Sequence, residues 1–422
     1  MREASTATTA KRPPARSAHR DGNVLRWLGA YTASILGDSV YFLALAWAAA
    51  RVVSPAQVGV VLTIGALPRA VLMLGGGVIA DRLGPRRVVI ASDALRSVVI
   101  LVAAAILTFS SPGVWMLIVL ALVFGAVDAL FMPAVGALPP RITTADQLAR
   151  VQGMRGLAQR LGTIAGPSAG GAAMALGGPA GAFLVAGLAF AASLVLLVTL
   201  KLSGDDGDRS PVGESAGRSP WRDLADGLRY IQRHRFLLPL IAVAWLAELG
   251  FSGPLNIGLV LLADERGWGP IGMGVIIGAF GAGAGASALL LTVRGRIPRA
   301  GLTGGWCLLL AGLAVIALGT ASKLPFAAAA GALIGLAAGI TGSVFAALLQ
   351  TATDASYLGR VTSVLTLLTV GLVPLSYPLT GILIGLFGPE TVFAGYGAVC
   401  VLAMVIVMAV RSLRCAELSE QP

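Results

Sequence analysis

Twelve apolar runs follow one another along this chain, each close to the twenty residues that a helix needs to cross the hydrocarbon core of a bilayer. They lie near 25–50, 57–80, 88–109, 114–138, 151–177 and 180–201, then near 236–262, 270–293, 300–320, 324–350, 359–386 and 390–411. In hydrocarbon every backbone N–H and C=O must find its partner inside the segment, so runs of this length fold as helices. A soluble alternative fails on composition. Of 422 residues 56% are hydrophobic and 12% charged, too few polar side chains to clothe a water-facing exterior. The expected fold class is an all-α membrane protein with twelve spans.

The charges orient the bundle. The net charge is +11, and 28 of the 31 basic residues are arginine. They gather in alternate connections: Lys11, Arg12, Arg16, Arg20 and Arg26 around the first span, Arg82, Arg86 and Arg87 after span 2, Arg141 and Arg150 after span 4, and Arg294, Arg296 and Arg299 after span 8. The connections after spans 3 and 5 have no basic residue. This is the positive-inside pattern of a multi-pass protein of the plasma membrane with both termini cytoplasmic, rather than a nucleic-acid-binding face. Residues 1–22 are polar and basic without an apolar core, and read as a disordered tail rather than a cleaved signal peptide.

The spans divide into two sets of six. Bundles over 23–201 and 236–411 flank a cytoplasmic linker, 202–235, and residues 412–422 form a tail. The linker begins polar and turn-rich and ends in WRDLADGLRYIQRHRF, where Trp221, Leu224, Leu228 and Ile231 recur at helical spacing. An amphipathic helix on the inner membrane surface is expected there. An offset of 210 residues superposes Arg150-Val151 on Arg360-Val361, Leu138 on Leu348 and Gly171 on Gly381. The two bundles therefore read as pseudo-symmetric copies of one unit, an arrangement that places a substrate site between them at mid-membrane.

Several chemistries have no residues to carry them. Each lysine follows Ala10, Leu200 or Ser322, so there is no Gly-Lys of a phosphate-binding loop and no nucleotide partner. The glycines of GAFGAGAGAS (278–287) lie inside an apolar span and serve close helix approach. Cys307, Cys400 and Cys415 are isolated, and His19 and His234 stand alone, so no metal site, cofactor or hydrolytic centre is expected. The chain is not expected to be an enzyme.

Two motifs are more specific. GGVIADRLGPRR (76–87) follows span 2 and places Gly77, Asp81, Arg82, Gly84, Arg86 and Arg87 in a cytoplasmic loop. Asp93 and Arg96 follow near the inner end of span 3 and are read with the same network. GMRGLAQRLGTIAGPSAGG (153–171) opens span 5 with Gly153, Gly162, Gly166, Pro167, Gly170 and Gly171. The first motif resembles the signature loop of the major facilitator superfamily, with Pro85 standing where a basic residue is usual. The second resembles the antiporter motif of exporters in that superfamily. With ADGLRYIQRHRFLLPLI and LLQTATDASYLGRVTSV, the resemblance is to the drug:proton antiporter branch that contains macrolide and enterobactin exporters. It implies the major facilitator fold, a gate latch at Asp81 closing the cytoplasmic side, and export driven by the proton gradient.

Geometry adds a separate reading of span 5. At about 100° per residue, Gly162, Gly166 and Gly170 drift by only about 40° each and form one stripe for close helix approach, with Gly153 off it. Arg160 points elsewhere. At about 1.5 Å per residue it lies roughly 14 Å from the cytoplasmic end, level with Asp128 in span 4 at roughly 15 Å, which predicts an Asp128–Arg160 pair. Asp38, Arg69 and Glu248 also fall near mid-membrane. Each unpaired charge there costs about 2.5–3.5 kcal/mol, so these five residues are expected to pair or to line a wet cavity. With no histidine deep in a span, a carboxylate must carry the proton, in the order Asp128, Asp38, Glu248. Tyr41, Phe42, Trp47, Phe131, Trp245, Phe251 and Phe345 are candidate cavity walls for an amphipathic substrate.

The expected function is proton-coupled efflux of a hydrophobic or amphipathic small molecule, a drug, antibiotic or siderophore, by a monomer working through alternating access. The partners are that molecule, protons and the lipid bilayer. A facilitator-type nutrient importer and a non-transporting receptor on the same fold are the alternatives. The span 5 motif disfavours the first, and the mid-membrane acids with Asp81 disfavour the second.

Overall fold

The computed structural model describes residues 21–110, 113–143, 147–200, 220–294, 299–354 and 357–417. Within its helices, the side chains of residues 70, 73–82, 149, 160, 220, 221, 223, 294 and 370 lie outside that description. Among the described residues the chain is helical nearly throughout and contains no strand.

Nine helices among the described residues are long and apolar enough to cross a membrane. Two of them, Arg150–Val198 and Leu358–Ala409, run for 49 and 52 residues, twice the length one crossing takes. Each is broken by a glycine in the left-handed region, Gly178 at φ 60° and Gly388 at φ 76°. Proline follows in both cases, Pro179 and Pro389. Glycine takes this backbone without a Cβ clash, and the proline removes the donor that would have continued the ladder. Each long helix is thus a hairpin of two spans, 148–177 with 179–198 and 358–387 with 389–409. Pro55–Leu83, at 29 residues, supplies one more crossing. The described residues thus provide twelve helical segments of spanning length, consistent with the hydropathy pattern. The Gly-Pro breaks are themselves 210 residues apart and extend the internal repeat.

The other spans are Gly22–Val52, Pro85–Phe109 and Val114–Gly136 in the first half, and 237–265, Gly269–Arg294, Ala300–Thr320 and Leu324–Ala352 in the second. An even number of crossings returns residue 417 to the side of residue 21. We call that side the terminal end and the opposite side the far end. Helix termini at the terminal end are capped by charge. Arg86 donates to the Val198 carbonyl at 3.0 Å and Arg26 to that of Thr199 at 3.3 Å, satisfying carbonyls that span 6 leaves unbonded. Gly84, at φ 82°, makes the turn from span 2 into span 3.

The first half is built around span 1. The span 5 stripe meets it directly: a Cβ on Gly162, Gly166 or Gly170 would run into Ile35, Ser39 and Val40 respectively. Span 4 lies against spans 2 and 3, and the span 5–6 hairpin against spans 1, 3 and 8. Contacts between the halves form two crossings at the far end. Span 5 meets span 8 where Gly171 abuts the Pro270 carbonyl and Gly274 that of Pro167. Span 2 meets span 11 where Gly381 abuts the Pro55 carbonyl, Gly59 that of Tyr377, and Thr63 donates to the Pro374 carbonyl at 2.7 Å. Gly171 and Gly381, equivalent in the repeat, thus do the same work in the two crossings. Toward the terminal end, Gly153 and Gly156 of span 5 and Gly359 of span 11 have open space where a Cβ would stand.

The linker ends in the helix Pro220–Arg233. Its described contacts are with protein, where the sequence places it on the membrane surface. Gly227 abuts the Arg360 carbonyl, and Tyr230 stacks on Tyr357 with centroids 4.3 Å apart. The Tyr230 hydroxyl donates to Asp354 at 3.1 Å. The Trp221 side chain lies outside the described residues.

Candidate functional site

A cavity of about 590 Å³ lies between the halves at mid-membrane. Spans 1, 2, 4 and 5 contribute Tyr41, Phe42, Arg69, Phe124, Asp128, Thr163 and Pro167. Spans 7, 8 and 11 contribute Glu248, Phe251, Ser252, Asn256, Phe280 and Tyr377. The far-end crossings contribute Pro167 and Pro374 to its lining. This volume suits a drug-sized molecule, and apolar walls with a few polar groups are the usual make-up of such a site. Tyr41 forms part of the floor, stacked on Phe124 at 3.7 Å with its hydroxyl buried and lacking a hydrogen-bond partner among the described residues.

Behind the first-half wall stands a buried charge cluster. Arg96 of span 3, fully buried, donates to Asp93 at 2.7 Å, to Asp38 at 3.0 Å and to Asp128 at 3.1 Å. Its guanidinium lies 3.9 Å from the ring centroid of Phe131 and 4.9 Å from that of Phe190. Asp93 is held further by the hydroxyls of Ser193 and Ser34. Planar, delocalised and weakly hydrated, guanidinium is the cation best suited to bridge several carboxylates in a dry site. Asp128 belongs to both features, bonding Arg96 on one side and facing the cavity on the other.

This arrangement bears on two sequence expectations. The described cation on Asp128 is Arg96, from span 3, where equal depth had pointed to Arg160. Depth along a span fixes height but not which spans adjoin. Span 4 packs mainly against spans 2 and 3, which brings Arg96 of span 3 onto Asp128. The Arg160 side chain itself lies outside the described residues. Asp93 and Arg96, read with the terminal-end gate loop, are instead the buried heart of the intramembrane cluster.

Of the aromatic candidates, Tyr41, Phe42 and Phe251 line the cavity. The other four do not. Phe131 lies under the Arg96 guanidinium, Trp47 is buried within the first half near Arg51, and Phe345 is packed against Gly304. Trp245 keeps its indole N–H buried and without a partner among the described residues. Arg69 and Glu248 both line the cavity, and Asp38 lies in the cluster behind it. In the gate motif, Gly84 and Arg86 take the turn and capping roles above, Arg87 is exposed, and the side chains at Gly77, Asp81 and Arg82 lie outside the described residues.

Sequence reading missed Asn256, Phe280 and Tyr377. Asn256 donates to the Ser252 carbonyl at 2.9 Å, and the Ser252 and Tyr377 hydroxyls are 3.0 Å apart. A signal for this wall existed. The spans break α-helical geometry next to Pro254 and Pro374, as wide turns over Pro254–Gly258 and Leu367–Leu372. Such interruptions in a span are tolerated where the freed backbone lines a cavity or meets protein.

Comparison with known proteins agrees with this architecture. The chain is 26% identical over 393 residues to the multidrug efflux pump Tap of Mycobacterium tuberculosis (strain ATCC 25618 / H37Rv), covering 91% of this chain and 92% of that one. It is 26% identical over 394 residues to the pump of the same name from Mycolicibacterium fortuitum, covering 92% and 95%. Among solved structures, a POT family transporter in complex with a thioalcohol-conjugated peptide superposes with a TM-score of 0.72 at 13% identity, over 92% of this chain and 95% of that one. The nucleoside transporter NupG superposes at 0.70 with 12% identity, over 92% of this chain and 100% of that one. At such identities the structures speak for the fold alone. The Major Facilitator Superfamily profile matches residues 27–374, most of the chain. Twelve spans in two related halves, a mid-membrane cavity between them and that match together establish this multi-pass membrane protein as a transporter of the major facilitator superfamily.

Proposed function

We propose that this transporter exports an amphipathic small molecule across the plasma membrane in exchange for protons. The observation that carries this reading is the double position of Asp128, bonded to Arg96 and lining the cavity. Three carboxylates on one guanidinium leave two excess negative charges if all are ionised. In this reading a change in access to water or to Arg96 alters that charge balance, and a proton enters or leaves with it. Substrate arriving beside Asp128 changes both. Substrate and proton therefore compete for one conformational state, which is what antiport requires. The 26% identity to proteins named multidrug efflux pumps supports the direction of transport.

The conformation supports one step of the cycle. If the arginine bias places the terminal end in the cytoplasm, the far-end crossings seal the cavity from outside and this state receives substrate from within. Reversal parts spans 5 and 8 and spans 2 and 11 at the far end, while the loop around Asp81 latches the cytoplasmic side. No cofactor takes part. In cells lacking other exporters, Asp128→Asn protein is expected to insert in normal amount yet fail to exclude an accumulating dye. Exclusion at the wild-type rate rules out the coupling role of Asp128. Uptake of the dye by energised cells, instead of exclusion, reverses the direction proposed.

A further inference from the structure

The cavity walls bear two charges that form no direct ion pair with the coupling cluster, although Arg69 lies within electrostatic reach of Asp38. Arg69 of span 2 and Glu248 of span 7 both line the cavity, and neither has an ion-pair partner within 4 Å among the described residues. The Arg69 Nε is buried and lacks a hydrogen-bond partner among those residues. The two belong to opposite halves. Tyr377 lies within electrostatic reach of both, which puts the charges on the same chamber. A guanidinium and a carboxylate in so apolar a site each carry a desolvation cost that a partner must offset. They leave each other unpaired across a chamber of about 590 Å³ rather than closing on one another. The same chamber is lined by Phe42, Phe251 and Phe280 and by Asn256.

We infer that the substrate is a zwitterionic amphiphile: an aromatic or alicyclic body whose acidic group pairs with Arg69 and whose cationic group pairs with Glu248. The inference rests on the cavity being the substrate site and adds the charge pattern of the ligand. Because the two recognising charges sit on different halves, such a ligand bridges them, and a singly charged analogue satisfies one half only.

Rhodamine B, which carries a carboxylate and a delocalised cation, and its ethyl ester, which carries the cation alone, make a matched pair on one body. Fluorescein supplies an anion on a related frame. Binding is measured by fluorescence polarisation on purified full-length protein. Rhodamine B is expected to bind about tenfold more tightly than either the cationic ester or the anionic fluorescein, the scale of one charge-assisted contact. Arg69→Gln is expected to erase the preference for acid over ester while leaving the affinity for the ester unchanged. Glu248→Gln is expected to weaken both cationic dyes and spare fluorescein. Equal binding of acid and ester to the wild type, or an unchanged order of affinities in both folded variants, overturns the zwitterion assignment and leaves the export reading standing. If no dye binds to folded wild-type protein, both the assignment and the cavity as substrate site fall.

Discussion

At the scale of single residues, the account turns on Arg96 and what surrounds it. It is buried with three carboxylates, so its removal leaves negative charge without compensation. Breaking a buried pair in this way costs about 3–5 kcal/mol. Arg96→Gln is therefore expected to melt several degrees lower than wild type in detergent or to fail to accumulate, whereas Arg96→Lys, keeping charge without the fork, falls between. Thermal unfolding of the purified variants checks this, and an Arg96→Gln protein as stable as wild type contradicts it. Asp93 and Asp128 should separate. Asp93→Asn removes an acceptor held by Ser193 and Ser34 in the interior and should lower stability. Asp128→Asn, beside the cavity, should lower transport with little loss of stability. The weight on Asp128 was legible in the sequence, because a carboxylate in an apolar run is expensive anywhere. Its partner was not, since Asp93 and Arg96 stand only eight and eleven residues into their helix and read as belonging to the nearby loop.

At the scale of helices, the glycine stripe of span 5 was legible from periodicity, but the surface it meets was not. Gly162, Gly166 and Gly170 lie on span 1, while the adjacent Gly171 turns toward span 8. The motif is thus two surfaces, one that joins spans within a half and one that works between halves. The two kinds of substitution should differ accordingly. Gly166→Val drives a side chain into Ser39 inside a permanent contact, an overpacking that costs about 1–3 kcal/mol and should appear as lost stability. Gly171→Leu obstructs a contact that forms and parts during transport. It should leave the protein folded but favour the state open at the far end, and Gly381→Leu should do the same by symmetry. Distances between spin labels placed on either side of the far-end crossings report the shift. Unchanged distance distributions in both variants contradict the assignment of those glycines to the seal. The Gly178–Pro179 and Gly388–Pro389 breaks show why boundaries within an apolar stretch were readable to a few residues: glycine and proline mark the place where the ladder cannot continue.

At the scale of the whole molecule, twelve apolar runs and alternating arginine clusters were enough to read the fold, because a bilayer permits so few backbone arrangements. The second-half wall of the cavity was readable only in part, at Glu248 and Phe251. Asn256, Phe280 and Tyr377 converge only through the way spans 7, 8 and 11 pack in the second half, which no single run encodes. Exchange between two end-states also makes a thermodynamic prediction. Each unit of inward pH gradient supplies about 1.4 kcal/mol per proton, so the outward substrate ratio should rise about tenfold per unit for one-to-one exchange. Acidifying the outside should accelerate efflux, and acidifying the inside should slow it. The most direct test of the central claim, that Asp128 couples substrate to protons, is proton movement itself. The purified transporter is reconstituted into liposomes loaded with rhodamine B and a pH-sensitive dye, and dye exit is followed together with lumenal pH. Wild-type protein is predicted to acidify the lumen in proportion to rhodamine released, and Asp128→Asn protein to show no coupled acidification. Release without proton entry in the wild type, or intact coupling in Asp128→Asn, would contradict the account.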